Sequence, residues 1–343
     1  MDEESLRSVL SNFPTLGGVA SIDRLTGGMS RDETWCVVES HGRKWVLKRV
    51  SADPESRRKW VWRLNVLSLP TVVSEPLLPH PAVTQNGAFF VEDDAALWIV
   101  LSWMPGRPLL ATEPSVERFA AAARALAQTH IILSRVPAET TFDCVPSGLL
   151  ERCELLREAL RSDETADAAR VETRTELRVF AQRTVATLRT YGPRLLVEVE
   201  EVIARCSSET PRRMPCLRDV RPEHVMFAEI HGDSTRVSGL IDVGALRVDA
   251  PIADLARLTQ SWRRAKPDWY AASVAEYDKV IGLTEFERTL LVLYDRTSRV
   301  LSCVNWIRWL CVERIAFRDM AAVSERLRVL DTLRSEEFGE STT

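Results

Sequence analysis

Apolar and polar positions follow two different rhythms along this chain. Over roughly the first hundred residues the apolar positions fall in short runs bounded by turn formers, the signature of strands. Residues 19–25 read as a short strand, followed by the small and polar stretch Thr26-Gly27-Gly28-Met29-Ser30. Residues 34–38 are rich in β-branched and aromatic side chains. His41-Gly42 makes a turn, and 44–50 alternates well enough to be the hairpin partner. Residues 54–69 read as a helix, and strands resume at 87–91 and 97–103 before Met104-Pro105-Gly106 stops regular structure.

Beyond residue 112 the period lengthens to that of helices. Residues 115–133 place Phe119, Ala123, Leu126 and His130 on one face, and His130 reads as a core histidine. Helices at 148–161 and 165–206 follow, each charged along one side. The segment 211–227 reads as a Pro-punctuated loop, 237–243 as a short strand, and 252 onward as further helices. The pattern predicts an α+β protein with a small β-rich N-lobe at 1–105 and a larger, mainly helical C-lobe at 106–335. A polar tail at 336–343 ends the chain.

Composition narrows the function classes. With 343 residues the chain is long enough for two lobes, and 45% apolar and 27% charged residues are the balance of a soluble globular protein. A formal net charge of −4 argues against nucleic acid as a partner, because phosphate-backbone binding needs clustered positive charge. No apolar run is long enough for a membrane helix, and Met1-Asp2-Glu3-Glu4 is acidic where a secretory signal is basic. Seven scattered cysteines without a Cys-x-x-Cys pair fit free thiols in a reducing compartment, so the expectation is a cytoplasmic protein.

The chemistry concentrates in Leu217-Arg218-Asp219-Val220-Arg221-Pro222-Glu223-His224 and in Leu240-Ile241-Asp242-Val243-Gly244. Phosphoryl transfer needs one carboxylate to take the proton of an attacking hydroxyl and another to hold a metal against the triphosphate. Two short strands joined by tight loops can present both. These segments resemble the protein-kinase and aminoglycoside-phosphotransferase superfamily: Arg218-Asp219 with His224 five residues on resembles its catalytic loop, and Asp242-Val243-Gly244 its metal-binding Asp-Phe-Gly. The downstream Ala253-Asp254-Leu255-Ala256-Arg257 is similar to the segment opening the next helix in small-molecule kinases of the choline kinase type.

The resemblance implies a bilobal protein-kinase-like fold using ATP and Mg²⁺, or alternatively Mn²⁺. It implies Asp219 as catalytic base, Arg221 as a cation near the transferred group, and Asp242 with His224 at the metal. Lys48, in Trp45-Val46-Leu47-Lys48, is similar to the family's strand-borne lysine on the α- and β-phosphates. Gly27, Gly28 and Ser30 lie where the phosphate-covering loop belongs, and small residues there admit close backbone approach. Residues 98–104 resemble the hinge that meets adenine, giving Ser102 and Met104 as nucleotide contacts. Asp254 reads as an N-cap or a brace for the catalytic loop.

The pattern is departed from in three places. His224 stands where the family has asparagine, Leu217 where it commonly has histidine, and the helix glutamate that pairs with the lysine has only Glu55 as a candidate. The expected activity is transfer of the γ-phosphoryl group to a hydroxyl, or an amine, of a small molecule. The short spacing from Asp242 to Asp254 leaves no peptide-docking segment, which disfavours a protein acceptor. The rival expectation is a pseudokinase that binds nucleotide or acts as a scaffold. Oligomeric state and the identity of the acceptor stay open.

Overall fold

The computed structural model describes residues 2–25, 32–93, 96–136, 144–229, 235–317 and 319–339. In chain order these form α1 (Glu3–Leu10), β1 (Val19–Arg24), β2 (Glu33–Glu39), β3 (Lys44–Ser51), α2 (Pro54–Leu67), α3 (Pro70–Val73), β4 (Val91–Glu92), β5 (Ala96–Ser102) and β6 (Arg107–Pro108). There follow α4 (Val116–Leu133), α5 (Ser147–Arg161), α6 (Glu164–Val171), α7 (Thr175–Arg205), β7 (Met214–Cys216), β8 (Val225–Phe227), β9 (Val237–Leu240) and β10 (Arg247–Asp249). The chain ends in α8 (Ile252–Thr259), α9 (Pro267–Ile281), α10 (Glu285–Ile307) and α11 (Met320–Phe338). The mixed fold expected from the sequence, a sheet-rich N-terminal region and a larger helical part, is the fold found.

Two compact units divide the chain. The first comprises Met1–Pro114, Ile131–Val136 and Pro222–Leu246; the second comprises Ser115–His130, Pro137–Arg221 and Arg247–Thr343. The segment Pro222–Leu246 thus packs with the sheet, although it follows the long helices in sequence. In the first unit an antiparallel sheet runs β1-β2-β3-β5-β4, and a smaller one runs β6-β8-β9. One face of the larger sheet presents Trp35, Val37, Trp45, Leu47, Trp98 and Val100 to Leu6 and Leu10 of α1. Strand alternation places Lys48, paired across to Thr34 and Ile99, on the opposite face from Trp45 and Leu47.

The second unit is built round α10. A capping box between Thr284 and Glu287 starts this helix, which then buries Leu290, Tyr294, Val300 and Ile307. Arg299 on it is fully buried and donates to Asp295 (2.9 Å), to the Leu333 carbonyl of α11 (2.7 Å) and to the Gln260 carbonyl after α8 (2.9 Å). A buried guanidinium with all its nitrogens engaged locks three helices in register. Trp262 and Trp306 are buried in this unit, while Trp309 is exposed.

Four elements differ from the periodicity reading. The helix α1 has no counterpart in that reading; it is capped by Asp2, which accepts from the Ser5 N–H, and its burial comes from the sheet beneath it. Of the strand expected at 87–91 only Val91 pairs, because Asn86 and the Thr84 hydroxyl close a turn onto Ala88. The helix expected at 165–206 breaks at residues 172–174, where the Glu172 carboxylate takes both the backbone N–H and the guanidinium of Arg174. The loop expected at 211–227 holds β7 and β8, whose partners β10, β6 and β9 are distant in sequence and invisible to local patterning.

Gly106 lies at φ +112°, and a Cβ there would collide with the Phe227 carbonyl and the Ser238 hydroxyl. Gly106→Ala should therefore cost about 2 kcal/mol or more, from backbone strain and steric displacement together. The expected reading is a lowered urea midpoint with an unchanged m-value.

Candidate active site

In the sheet unit the candidate site is built round Asp242, just beyond β9. Its backbone sits in the left-handed region at φ 64° and ψ 64°, an unusual conformation for a side chain other than glycine. The Ile241 N–H donates to the His224 carbonyl at 2.9 Å, fixing the approach of this turn to the short 3₁₀ turn Pro222–His224. Gly244 lets the chain tuck back beneath the carboxylate, since a Cβ there would stand 3.3 Å from Asp242 Oδ1 and 3.8 Å from the Trp60 ring. From α2, Arg63 donates to the Leu246 carbonyl at 3.1 Å and holds the far end of the turn.

Asp242 meets two of the residues expected to work with it. Lys48 Nζ lies 3.5 Å from Asp242 Oδ1, and His224 Nε2 lies 3.8 Å from Oδ2. His224 is buried and immediately precedes β8, so its imidazole is placed by backbone on both sides. Glu55, the candidate partner for Lys48, instead pairs with Lys59 one turn along α2. It lies at the exposed start of its helix, where the i,i+4 lysine is the nearer cation. The carboxylate that Lys48 meets is Asp242.

The two hinge residues have different surroundings. The Ser102 N–H donates to the His80 carbonyl at 2.8 Å, and the Ser102 hydroxyl accepts from the His80 N–H at 2.9 Å. Met104 is buried with its side chain laid across Gly239, where a Cβ would overlap it. Gly239 carries no motif signal, so pattern reading passed over it. Gly27, Gly28 and Ser30 lie outside the described residues.

The helical unit holds Asp219 and its supports. Arg218, directly before it, is again left-handed at φ 69°. The strain is held by Asp254 at the start of α8, a carboxylate with 0% exposure. Asp254 accepts from the Leu217 N–H at 2.7 Å and from the Arg218 N–H at 2.6 Å. His130 Nε2 stands 3.1 Å from the same carboxylate, and His130 Nδ1 stands 2.7 Å from the Tyr277 hydroxyl. Burial pushes the Tyr277 phenol well up, so it stays protonated and donates, leaving the Nε2–H of His130 to donate to Asp254. The brace expected of Asp254 and the core role expected of His130 are both present, in one buried chain of hydrogen bonds.

Asp219 itself is flanked by cations. Arg257 Nε lies 3.0 Å from Oδ1 and Arg221 Nε lies 3.5 Å from Oδ2. Arg257 also donates to Gln260 at 3.0 Å. Pattern reading quoted Arg257 only as part of a segment; its spacing of three from Asp254 on α8 was the available signal, since it puts both on neighbouring faces of one helix turn. On the other side of the catalytic loop, Arg218 pairs with the buried Asp249 and with Glu151 (2.8 Å), and Gly148 leaves room for the Arg218–Asp249 pair.

The Lys48–Asp242–His224 group thus stands in the sheet unit and the braced Asp219 loop in the helical unit. The family model described as the phosphotransferase enzyme family matches residues 21–289, and the chain belongs to that family. An aminoglycoside 3'-phosphotransferase of Streptomyces fradiae is 28% identical over 207 residues, covering 58% of this chain and 64% of that protein. The chain thus spans a little under two thirds of that relative's length. Among solved structures, an aminoglycoside phosphotransferase from Alicyclobacillus acidocaldarius matches with a TM-score of 0.62 at 18% identity, over 97% of this chain and 94% of the other. An amicoumacin kinase in complex with AMP-PNP and Ca²⁺ matches with a TM-score of 0.64 at 11% identity, over 97% and 94%. These two likenesses concern the fold.

Asp254→Ala would strip the acceptor from two buried N–H groups and should lower stability by about 2–4 kcal/mol. Tyr277→Phe removes one outlying hydrogen bond and should cost about 1 kcal/mol. Urea unfolding of both variants measures the difference; equal costs would mean that the brace does not carry the loop.

Proposed function

We propose that the chain transfers the γ-phosphoryl group of ATP to a hydroxyl of a small molecule. The observation that carries this reading is the approach of Lys48 to Asp242 at 3.5 Å, with Asp242 held in a left-handed turn. Backbone strain maintained by its surroundings at a charged residue is the usual mark of a working site. A small acceptor is favoured because the stretch from Asp242 to α8 is taken up by a 3₁₀ turn and by β10, paired to β7. That leaves no free segment there for docking a peptide.

Asp219 accepts the proton of the attacking hydroxyl as its oxygen bonds to the γ-phosphorus and the bond to the β,γ-bridging oxygen breaks, releasing ADP. Lys48 holds the α- and β-phosphates, and Arg221 offsets charge on the transferred group. The donor set fits a divalent metal, which Asp242 would hold through carboxylate oxygen and His224 through the imidazole nitrogen that faces it. Such a metal would neutralise the triphosphate. An imidazole in place of an amide oxygen suits Mn²⁺ better than Mg²⁺, a harder and strictly oxygen-seeking ion.

Thermal unfolding with ATP plus either metal tests the nucleotide site, since a ligand of the native state raises Tm by mass action. A metal-dependent rise is expected in the wild type and its loss in Asp242→Asn; no rise with either metal at millimolar ATP would sink the reading. Asp219→Ala should keep the rise yet lose about 10²–10⁴-fold in turnover, the range for removing a general base. His224→Asn should move the preference from Mn²⁺ toward Mg²⁺, read as the ratio of Tm shifts with the two ions.

A further inference from the structure

The geometry points to an acceptor that carries negative charge next to its reactive hydroxyl, with Arg257 as the residue that selects it; this rests on phosphoryl transfer at Asp219. A hydroxyl delivered to Asp219 arrives between two guanidinium groups, Arg257 against Oδ1 and Arg221 against Oδ2. Both arginines are about four-fifths buried in their side chains, so water screens them less than it would on an open surface. An ammonium group beside the reactive hydroxyl would face these cations. A carboxylate or phosphate there would be matched by a planar donor built for bidentate recognition.

A second observation points the same way. Arg152 on α5 donates to the Thr297 hydroxyl (3.1 Å), the Ser298 hydroxyl (3.0 Å) and the Gly148 carbonyl (3.0 Å), and lies over the Tyr294 ring at 4.2 Å. Among the described residues these hydrogen-bond partners are all neutral. Its pKa is lowered to about 10, chiefly by burial, with Tyr294 and Glu151 raising it and the nearby Arg218 and Arg257 lowering it. The adjacent Glu151 is already shared between Arg218 and Arg247. Positive charge on this side of the unit therefore exceeds what its own carboxylates match.

Carboxylates on α7 and α10 of the same unit are engaged by arginines. Glu198 pairs with Arg194 and Arg296, Glu200 with Arg157, and Asp295 with Arg263 and Arg299. Freeing any of these for an ammonium ligand would break an existing ion pair.

The test is binding and phosphorylation by the intact chain, saturated with AMP-PNP or ATP and Mn²⁺, of four compounds: D-glycerate, glycerol 3-phosphate, choline and kanamycin. Titration calorimetry gives the affinities and ADP release the turnover. At least one of the two anions should bind more tightly than choline and kanamycin. Arg257→Gln should weaken that anion about tenfold or more, the size of one charge-assisted hydrogen bond, with AMP-PNP affinity unchanged. Arg257→Lys should recover part of the loss. Tighter binding of kanamycin or choline, no binding of either anion, or equal weakening of anions and cations in Arg257→Gln would overturn the proposal. Absent AMP-PNP binding in the wild type would instead bring down the phosphotransferase reading, and this proposal with it.

Discussion

The loop that carries Arg218 and Asp219 hangs from one buried carboxylate. Asp254 has no contact with solvent, yet it takes the backbone N–H groups of Leu217 and Arg218 at 2.7 and 2.6 Å. A buried charge is tolerable only when fully paired, and here it is paired with dipoles of the loop it must hold. Those two bonds offset the left-handed backbone at Arg218, a conformation that costs about 1–2 kcal/mol for a residue with a Cβ. His130, reaching in from α4, and Tyr277, from α9, fix the carboxylate from behind. Leu217, standing where related loops commonly carry histidine, is buried instead. The imidazole that meets the brace comes from a helix elsewhere in the unit.

A parallel solution operates in the sheet unit. Asp242 is also left-handed, and its turn is held by the Ile241–His224 backbone bond, by Gly244 against Trp60, and by Arg63 on the Leu246 carbonyl. Helix α2 therefore supports the metal-side turn directly rather than presenting a glutamate to Lys48. The lysine is steered by the aspartate itself. Arg218 and Asp242 are thus both strained, and each is restrained by the groups packed around its turn.

Arginines flank Asp219 in the helical unit. Arginine is the cation in nearly every ion pair of the helical unit, and its planar fork suits it to buried and shared pairing. Most of these guanidinia meet carboxylates across helices and act as fasteners. Arg257 and Arg221 differ because the carboxylate they meet is Asp219, so their charge is presented wherever a hydroxyl would approach it. Membership of the phosphotransferase family leaves the substrate open, and side chains such as these bear on it.

What the sequence determined by itself was whatever depends on local periodicity or on the order of short motifs. The strands around Lys48, the long helices, Asp219 and Asp242, and the brace at Asp254 were all legible, because each is announced by neighbours within a few residues. The same holds for the change from strand to helix after Gly106. What only the tertiary structure decided was pairing between residues far apart in the chain. The short strands β7 and β8 exist because of β10, β6 and β9. Lys48 chose Asp242 over Glu55 across 194 positions, and Arg257 closed on Asp219 across 38. Met104 found its space over Gly239. A three-residue strand or a lone arginine carries too little local information to name its partner, and only the packed chain, by bringing the partner within hydrogen-bond reach, supplies it.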